Sequence, residues 1–291
     1  MYDHEGVIVF PPINGIPENL ITWSDIMLTH LEYCNWTIQM GRIFKKPVIY
    51  ISHNTHFDAY AFLSDNPQVG IIYNSEGMKL QSPFTNPCIV LHPSVDHKKY
   101  NVNPDPINSP YITMINCNEN KGGKLFCRIA AAMPERKFLA VAGSYDEQFI
   151  PGLSNVIIRP NGPDILPVYQ MTRILLMPSR YESWGMTATE AMSNGIPVIA
   201  CPTFGLKENL GEAGIYIPMR DELEREDLDD GDTYDIAPII KVIKSLDKPA
   251  TYHKWSAGGR KRAVELDPAV ELAATEAFLY TLVENMELAS Q

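Results

Sequence analysis

Two glutamates stand eight positions apart in the segment PSRYESWGMTATEAMSNGIPVIA, which runs from Pro178 to Ala200. Glu182 precedes a Gly-containing turn, and Glu190 falls inside an otherwise apolar helical pattern. A carboxylate in such surroundings needs a partner, because desolvating it alone is costly. Gly185 lets the backbone approach a ligand closely. Met186 and Thr187 then open a helix whose first N–H groups have no intrahelical acceptor. Those donors, together with the Thr187 hydroxyl, suit a phosphate or diphosphate. Glu190 lies about 7–8 Å further along the helix axis, the scale that separates a nucleotide's phosphates from its ribose diol. Glu182 lies on the other side, where a sugar would sit. The alternative from the residues alone is that Glu182 caps the helix and Glu190 pairs with a buried arginine.

A second set is NENKGG, where Lys121, Gly122 and Gly123 stand at a helix start. The dipole and free N–H groups of such an end favour an anion, and a lysine adds a full charge. A flexible turn with a solvated lysine is the equal alternative. GxxxxGK[ST] is absent, so this is not a P-loop. His53, in SHNTHF with His56, follows the strand pattern PVIYIS; a lone histidine there is structural unless the strand end faces a site.

The elements that must hold these residues alternate. In the first third, Val7–Phe10, 47–52, Gly70–Asn74 and Cys88–His92 read as strands. Residues 93–110 are rich in Pro, Asn and Asp without periodicity, and read as a linker. Beyond them, strands at 111–116, 137–143, 155–160, 173–178, 197–201 and 214–218 alternate with helices at 122–133, 164–172, after Gly185, and at 205–210. Wholly apolar strands alternating with helices indicate a parallel sheet covered on both faces. From about residue 236 the chain is helical. The reading is an α/β protein of two Rossmann-like domains facing a cleft: a reduced domain over 1–107, a second over 108–265, and a helix over 266–291 returning toward the first.

Composition narrows the classes. With 45% hydrophobic and 20% charged residues in a chain of 291, a sizeable core is expected. The 24 basic and 35 acidic residues leave a net charge of −11, against a broad nucleic-acid surface. No apolar run is long enough to span a membrane, and the first residues lack a signal peptide pattern, so a cytoplasmic protein is expected. Five cysteines without CxxC spacing read as free thiols, and no Cys/His set has zinc spacing. The acidic run Arg220–Asp235 departs from a calcium loop and reads as a solvated segment.

The long stretch resembles the nucleotide-sugar site of the family-4 glycosyltransferases, which have the GT-B fold. Glu182 and Glu190, then Ala191–Met192, Gly195 and Pro197–Ile199, follow that family's pattern, and NENKGG is similar to its Lys-Gly phosphate motif. The resemblance covers roughly residues 45–220. It implies a retaining transferase that needs no metal and no cofactor beyond its donor, a UDP- or GDP-type nucleotide sugar. Glu190 would hold the ribose, Gly185, Met186 and Thr187 the diphosphate, and Glu182 the donor sugar. Lys121 would neutralise the leaving group, and His53 would line the sugar site from the other domain. Trp184 and Asn116 join the donor-binding positions, Asn116 standing where the family carries an arginine. The acceptor is a hydroxyl of a glycan, a small molecule or a modified nucleic-acid base. Transfer to a modified DNA base and a non-catalytic nucleotide-sugar-binding role are the competing functions.

Overall fold

The computed structural model describes residues 2–10, 16–55, 63, 66, 68–150, 152–217 and 234–289. They divide into two compact units, one of residues 1–74, 78–91 and 271–291, the other of 75–77 and 92–270.

The first unit opens with β1 (Tyr2–His4) and β2 (Val7–Val9), an antiparallel hairpin turned at Glu5 and Gly6, both with positive φ. This hairpin forms a sheet of its own. Val7–Val9 is thus a strand, as read from the sequence, but it lies outside the main sheet, whose first strand comes later. That strand is the short β3 (Met27–Thr29), which follows α1 (Glu18–Trp23). Then come α2 (Cys34–Phe44), β4 (Val48–Ser52), β5 (Val69–Tyr73), α3 (Glu76–Gln81) and β6 (Cys88–Val90). The four strands run parallel in the order β3-β4-β5-β6. Strands β4 and β5 are buried on both faces, which explains their unbroken apolar sequences.

The second unit is a six-stranded parallel sheet in the order β12-β11-β10-β7-β8-β9. Its elements are β7 (Tyr111–Ile115), α4 (Gly123–Ala132), β8 (Lys137–Val141), β9 (Val156–Arg159), α5 (Leu166–Met171) and β10 (Thr172–Met177). They continue with α6 (Met186–Ser193), β11 (Val198–Ala200), α7 (Phe204–Leu210), β12 (Ile215–Tyr216), α8 (Ala237–Ser245) and α9 (Pro249–Glu265). The last helix, α10 (Ala269–Ala289), places Leu282 and Phe278 beside Ile49 in the first unit's core. Alternation along β10 divides the second unit's core. Ile174 and Leu176 join Phe126, Ile129 and Ile239 on one face, while Leu175 and Met177 join Ala188, Met192 and Leu206 on the other.

Residues 93–110 are no free linker. Asn194 Oδ1 accepts from the backbone N–H of Val102 and Asn103, both at 2.9 Å, and Arg260 donates to the Asn103 carbonyl at 3.0 Å. The segment is aperiodic because side chains, not a ladder, satisfy its backbone. Most of the acidic run Arg220–Asp235 lies outside the described residues, as does His56.

Candidate functional site

In the second unit the chain turns one way from β7 to β8 and the other way from β7 to β10. The crevice outside the C-terminal ends of β7 and β10 is thus the switch point of a doubly wound sheet. A cavity of about 210 Å³ lies there. Ile115 and Asn116 line it from β7, and Leu176 and Met177 from β10. Lys121, Tyr145, Ser179 and Glu182 line it from loops, and Gly185, Met186 and Thr187 from the start of α6.

Glycines let two loops close on this point. Gly122 (φ 86°) has no room for a side chain, since a Cβ would fall 2.3 Å from the Pro178 carbonyl oxygen. That contact sets the turn carrying Lys121 against the loop carrying Glu182. Lys121 N–H donates to Asn118 Oδ1 at 2.9 Å, and its Nζ reaches Glu182 Oε1 at 2.6 Å. The Ser179 hydroxyl donates to the same oxygen at 3.1 Å. Glu182 is only 8% exposed, so its charge is met by these two donors rather than by a helix cap. Gly185, at φ 87°, is the N-cap of α6 and offers no side-chain acceptor. The first N–H groups of α6 therefore have no capping acceptor, and they open beside the only cation among the described lining residues. The Thr187 hydroxyl meets Met177 Sδ at 3.7 Å.

Of the other sequence candidates, Asn116 lines the cavity, and Glu190, Trp184 and His53 do not. Glu190 is 7% exposed and does not line the cavity. Its carboxylate takes hydrogen bonds from the phenols of Tyr169 and Tyr100, not from an arginine or an open ribose site. Burial pushes its pKa above the ordinary carboxylate value, and the two phenols offset part of that push. Trp184 is likewise buried, at 2% exposure. It stacks on His92 with ring centroids 4.2 Å apart, and its indole N–H meets no acceptor among the described residues. Asn116 holds a left-handed backbone (φ 65°) at the end of β7, and its Oδ1 accepts from Gln148 Nε2 at 3.1 Å. His53 belongs to the first unit, where it meets His30 edge-on at 5.4 Å. Burial and the neighbouring His30 lower its pKa.

Sequence reasoning missed Gln148. Its Oε1 accepts from the backbone N–H of Cys117 (2.9 Å) and Gly143 (2.7 Å), tying together the ends of β7 and β8. No periodicity marks it. It also missed Glu208, which accepts from His92 Nε2 (2.7 Å) and from the N–H groups of Glu76 (2.7 Å) and Gly77 (3.0 Å). Burial opposes ionisation of Glu208, but these hydrogen bonds outweigh it and hold its pKa below the ordinary value. Among the described residues no group of three or more His, Cys, Asp or Glu side chains is placed to hold a metal, and no helix is long and apolar enough to cross a membrane.

An open parallel sheet with an uncapped helix end and a lysine at its switch point has the electrostatics that favour an anion. Residues 110–226 match the family described as Glycosyl transferases group 1. Over 75 residues the chain is 32% identical to D-inositol 3-phosphate glycosyltransferase of Corynebacterium urealyticum, a stretch covering 24% of this chain and 18% of that one. The chain thus matches less than a fifth of that relative's length. The crystal structure of a glycosyltransferase from Rickettsia africae ESF-5 is similar with a TM-score of 0.70 at 16% identity, covering 96% of this chain and 85% of that one. Anabaena Alr3699/HepE, crystallised in complex with UDP and glucose, is similar at 0.69 and 14% identity, covering 90% and 79%. At these identities the structural likeness is one of fold. The chain has the GT-B fold, and its match to the glycosyltransferase family spans residues 110–226.

Proposed function

We propose that the protein is a retaining glycosyltransferase that moves a sugar from a UDP- or GDP-type nucleotide sugar to an acceptor hydroxyl. The observation that carries this reading is the switch-point cavity, where Lys121 and the open N-terminus of α6 converge with Glu182. When the glycosidic bond to the diphosphate breaks, negative charge grows on the leaving oxygen. The N–H groups of Gly185, Met186 and Thr187 meet that charge where they stand, and the Lys121 ammonium adds a full positive charge. Lys121 leaves Glu182 for the diphosphate, and Glu182 turns its freed oxygen to the sugar hydroxyls. Glu190 reaches the ribose only by exchanging a phenol partner for the ribose diol. Trp184 supports the loop from behind rather than touching the donor. His53 is assigned to the sugar side, and Asn116 leaves Lys121 as the cation at the diphosphate. UDP and glucose in the HepE complex support this donor class. The reading assigns no resident metal.

Calorimetric titration of UDP, GDP and their glucose conjugates into wild type and Lys121→Ala tests it. Wild type is expected to bind one diphosphate at least about tenfold more tightly than the variant, the worth of one charged hydrogen bond. With an α-linked donor, the released or transferred sugar should keep the α configuration by NMR. Absence of binding by any nucleotide diphosphate overturns the donor assignment. Tight binding without hydrolysis or transfer would make the chain a binding protein instead.

A further inference from the structure

Asn209, next to last in α7, is fully buried. Its side-chain amide Nδ2 lies 3.2 Å from each of two carbonyl oxygens, those of Trp184 and Gly185. The Thr189 hydroxyl lies 3.1 Å from its Oδ1 and 3.0 Å from its Nδ2, so it anchors the amide while the two carbonyls fix which way the NH2 faces. In a trans peptide the C=O and the following N–H lie in one plane and point in opposite directions. Holding the carbonyls of Trp184 and Gly185 toward Asn209 therefore aims the N–H groups of Gly185 and Met186 away from it. Gly185 and Met186 both line the cavity.

The support behind Asn209 is closely packed and hydrogen-bonded. Gly205 lets α7 lie directly on the loop, since a Cβ there would fall 2.3 Å from the Ser183 carbonyl carbon and 2.5 Å from the Glu182 oxygen. Arg262 of α9 donates to the carbonyls of Asn209 (2.8 Å) and Glu208 (2.7 Å). The Glu208 carboxylate holds His92, whose ring stacks on Trp184 and so returns to the same loop. His92, Trp184, Asn209 and Glu208 form a closed circuit around the peptides that precede α6.

We propose that Asn209 is a positioning residue for the donor, orienting the Gly185 and Met186 N–H groups that receive the diphosphate. This rests on the donor reading above. Asn209→Asp keeps the side chain's shape but replaces the NH2 that donates to both carbonyls with a carboxylate oxygen facing them. Thr189→Val, milder, removes the hydroxyl that anchors the amide. Hydrogen exchange followed by mass spectrometry reads the loop without any ligand. The peptide covering 183–188 is expected to exchange at least about tenfold faster in Asn209→Asp, with β7 and β8 unchanged. UDP affinity should fall by about 10–100-fold while uridine affinity stays, because only the diphosphate uses these N–H groups. Unchanged loop exchange in a folded Asn209→Asp variant, or acceleration spread evenly over the second unit, overturns the proposal. So does an equal loss of UDP and uridine binding. If Asn209→Asp does not fold, the same readings on Thr189→Val decide, with smaller shifts in the same pattern. If wild type binds no nucleotide diphosphate, the donor reading fails and the exchange data alone decide the role of Asn209.

Discussion

Lys121 and Glu182 hold each other at 2.6 Å beside the start of α6, so each is both a partner and a rival for a ligand. Lys121→Met should weaken nucleotide diphosphate binding by about 10–100-fold, as expected for losing a charged hydrogen bond. Glu182→Gln, which frees Lys121, should leave diphosphate affinity equal or higher and lower transfer of the sugar. Titration of UDP beside a turnover assay separates the two effects. Glu190 makes a different prediction. Its pKa is raised in the folded protein, so its contribution to stability is fully present below about pH 4.5 and is lost as pH rises through the folded value. Glu190→Gln should therefore gain stability relative to wild type between pH 4 and pH 8 in urea titrations. A constant difference across that range would mean the carboxylate stays ionised on its phenols. The spacing of Glu182 and Glu190 was legible in the sequence because both lie in one continuous motif. The partners of Glu190 were not, because Tyr100 comes from an aperiodic stretch far upstream and meets it only through the fold.

At the scale of elements, apolar strands alternating with helices beyond residue 110 were readable because a parallel sheet buries both faces of each strand. The first unit was less so. β3 has three residues, one of them exposed, too few to show a period, and the stronger apolar run at Val7 pairs only with its own hairpin. Glycine positions carry what periodicity omits. Gly185 combines a φ of 87° with a Cβ position 2.7 Å from Leu206 Cδ2. Gly185→Ala should cost about 1–3 kcal/mol, the scale of forcing a non-glycine residue into strained backbone. Thermal denaturation should show it as a drop of several degrees. The same substitution should reduce UDP affinity, since the N-cap of α6 must shift to relieve the contact. An unchanged midpoint would mean that Leu206 moves aside and the left-handed backbone is tolerated.

The whole molecule has a core in each unit, and none of the described clusters mixes the two. Leu282 from the C-terminal helix packs with Ile49 and Ile72 in the first unit, where a side chain at Gly70 would meet it at 2.5 Å. Ile129 packs with Phe126 and Phe138 in the second. The residues proposed to meet the diphosphate belong to the second unit, so ligand and mutations should act on separate parts of the unfolding profile. Leu282→Ala should cost the first unit about 2–5 kcal/mol, the range for truncating a buried leucine. Calorimetry should then show an early transition that nucleotide does not move. Ile129→Ala should destabilise the second unit instead. UDP at a hundredfold excess over its dissociation constant should restore about 2.7 kcal/mol of that loss, because it binds only the folded state. If Leu282→Ala and Ile129→Ala lower one shared transition equally, and UDP raises it equally in both, the units unfold as one.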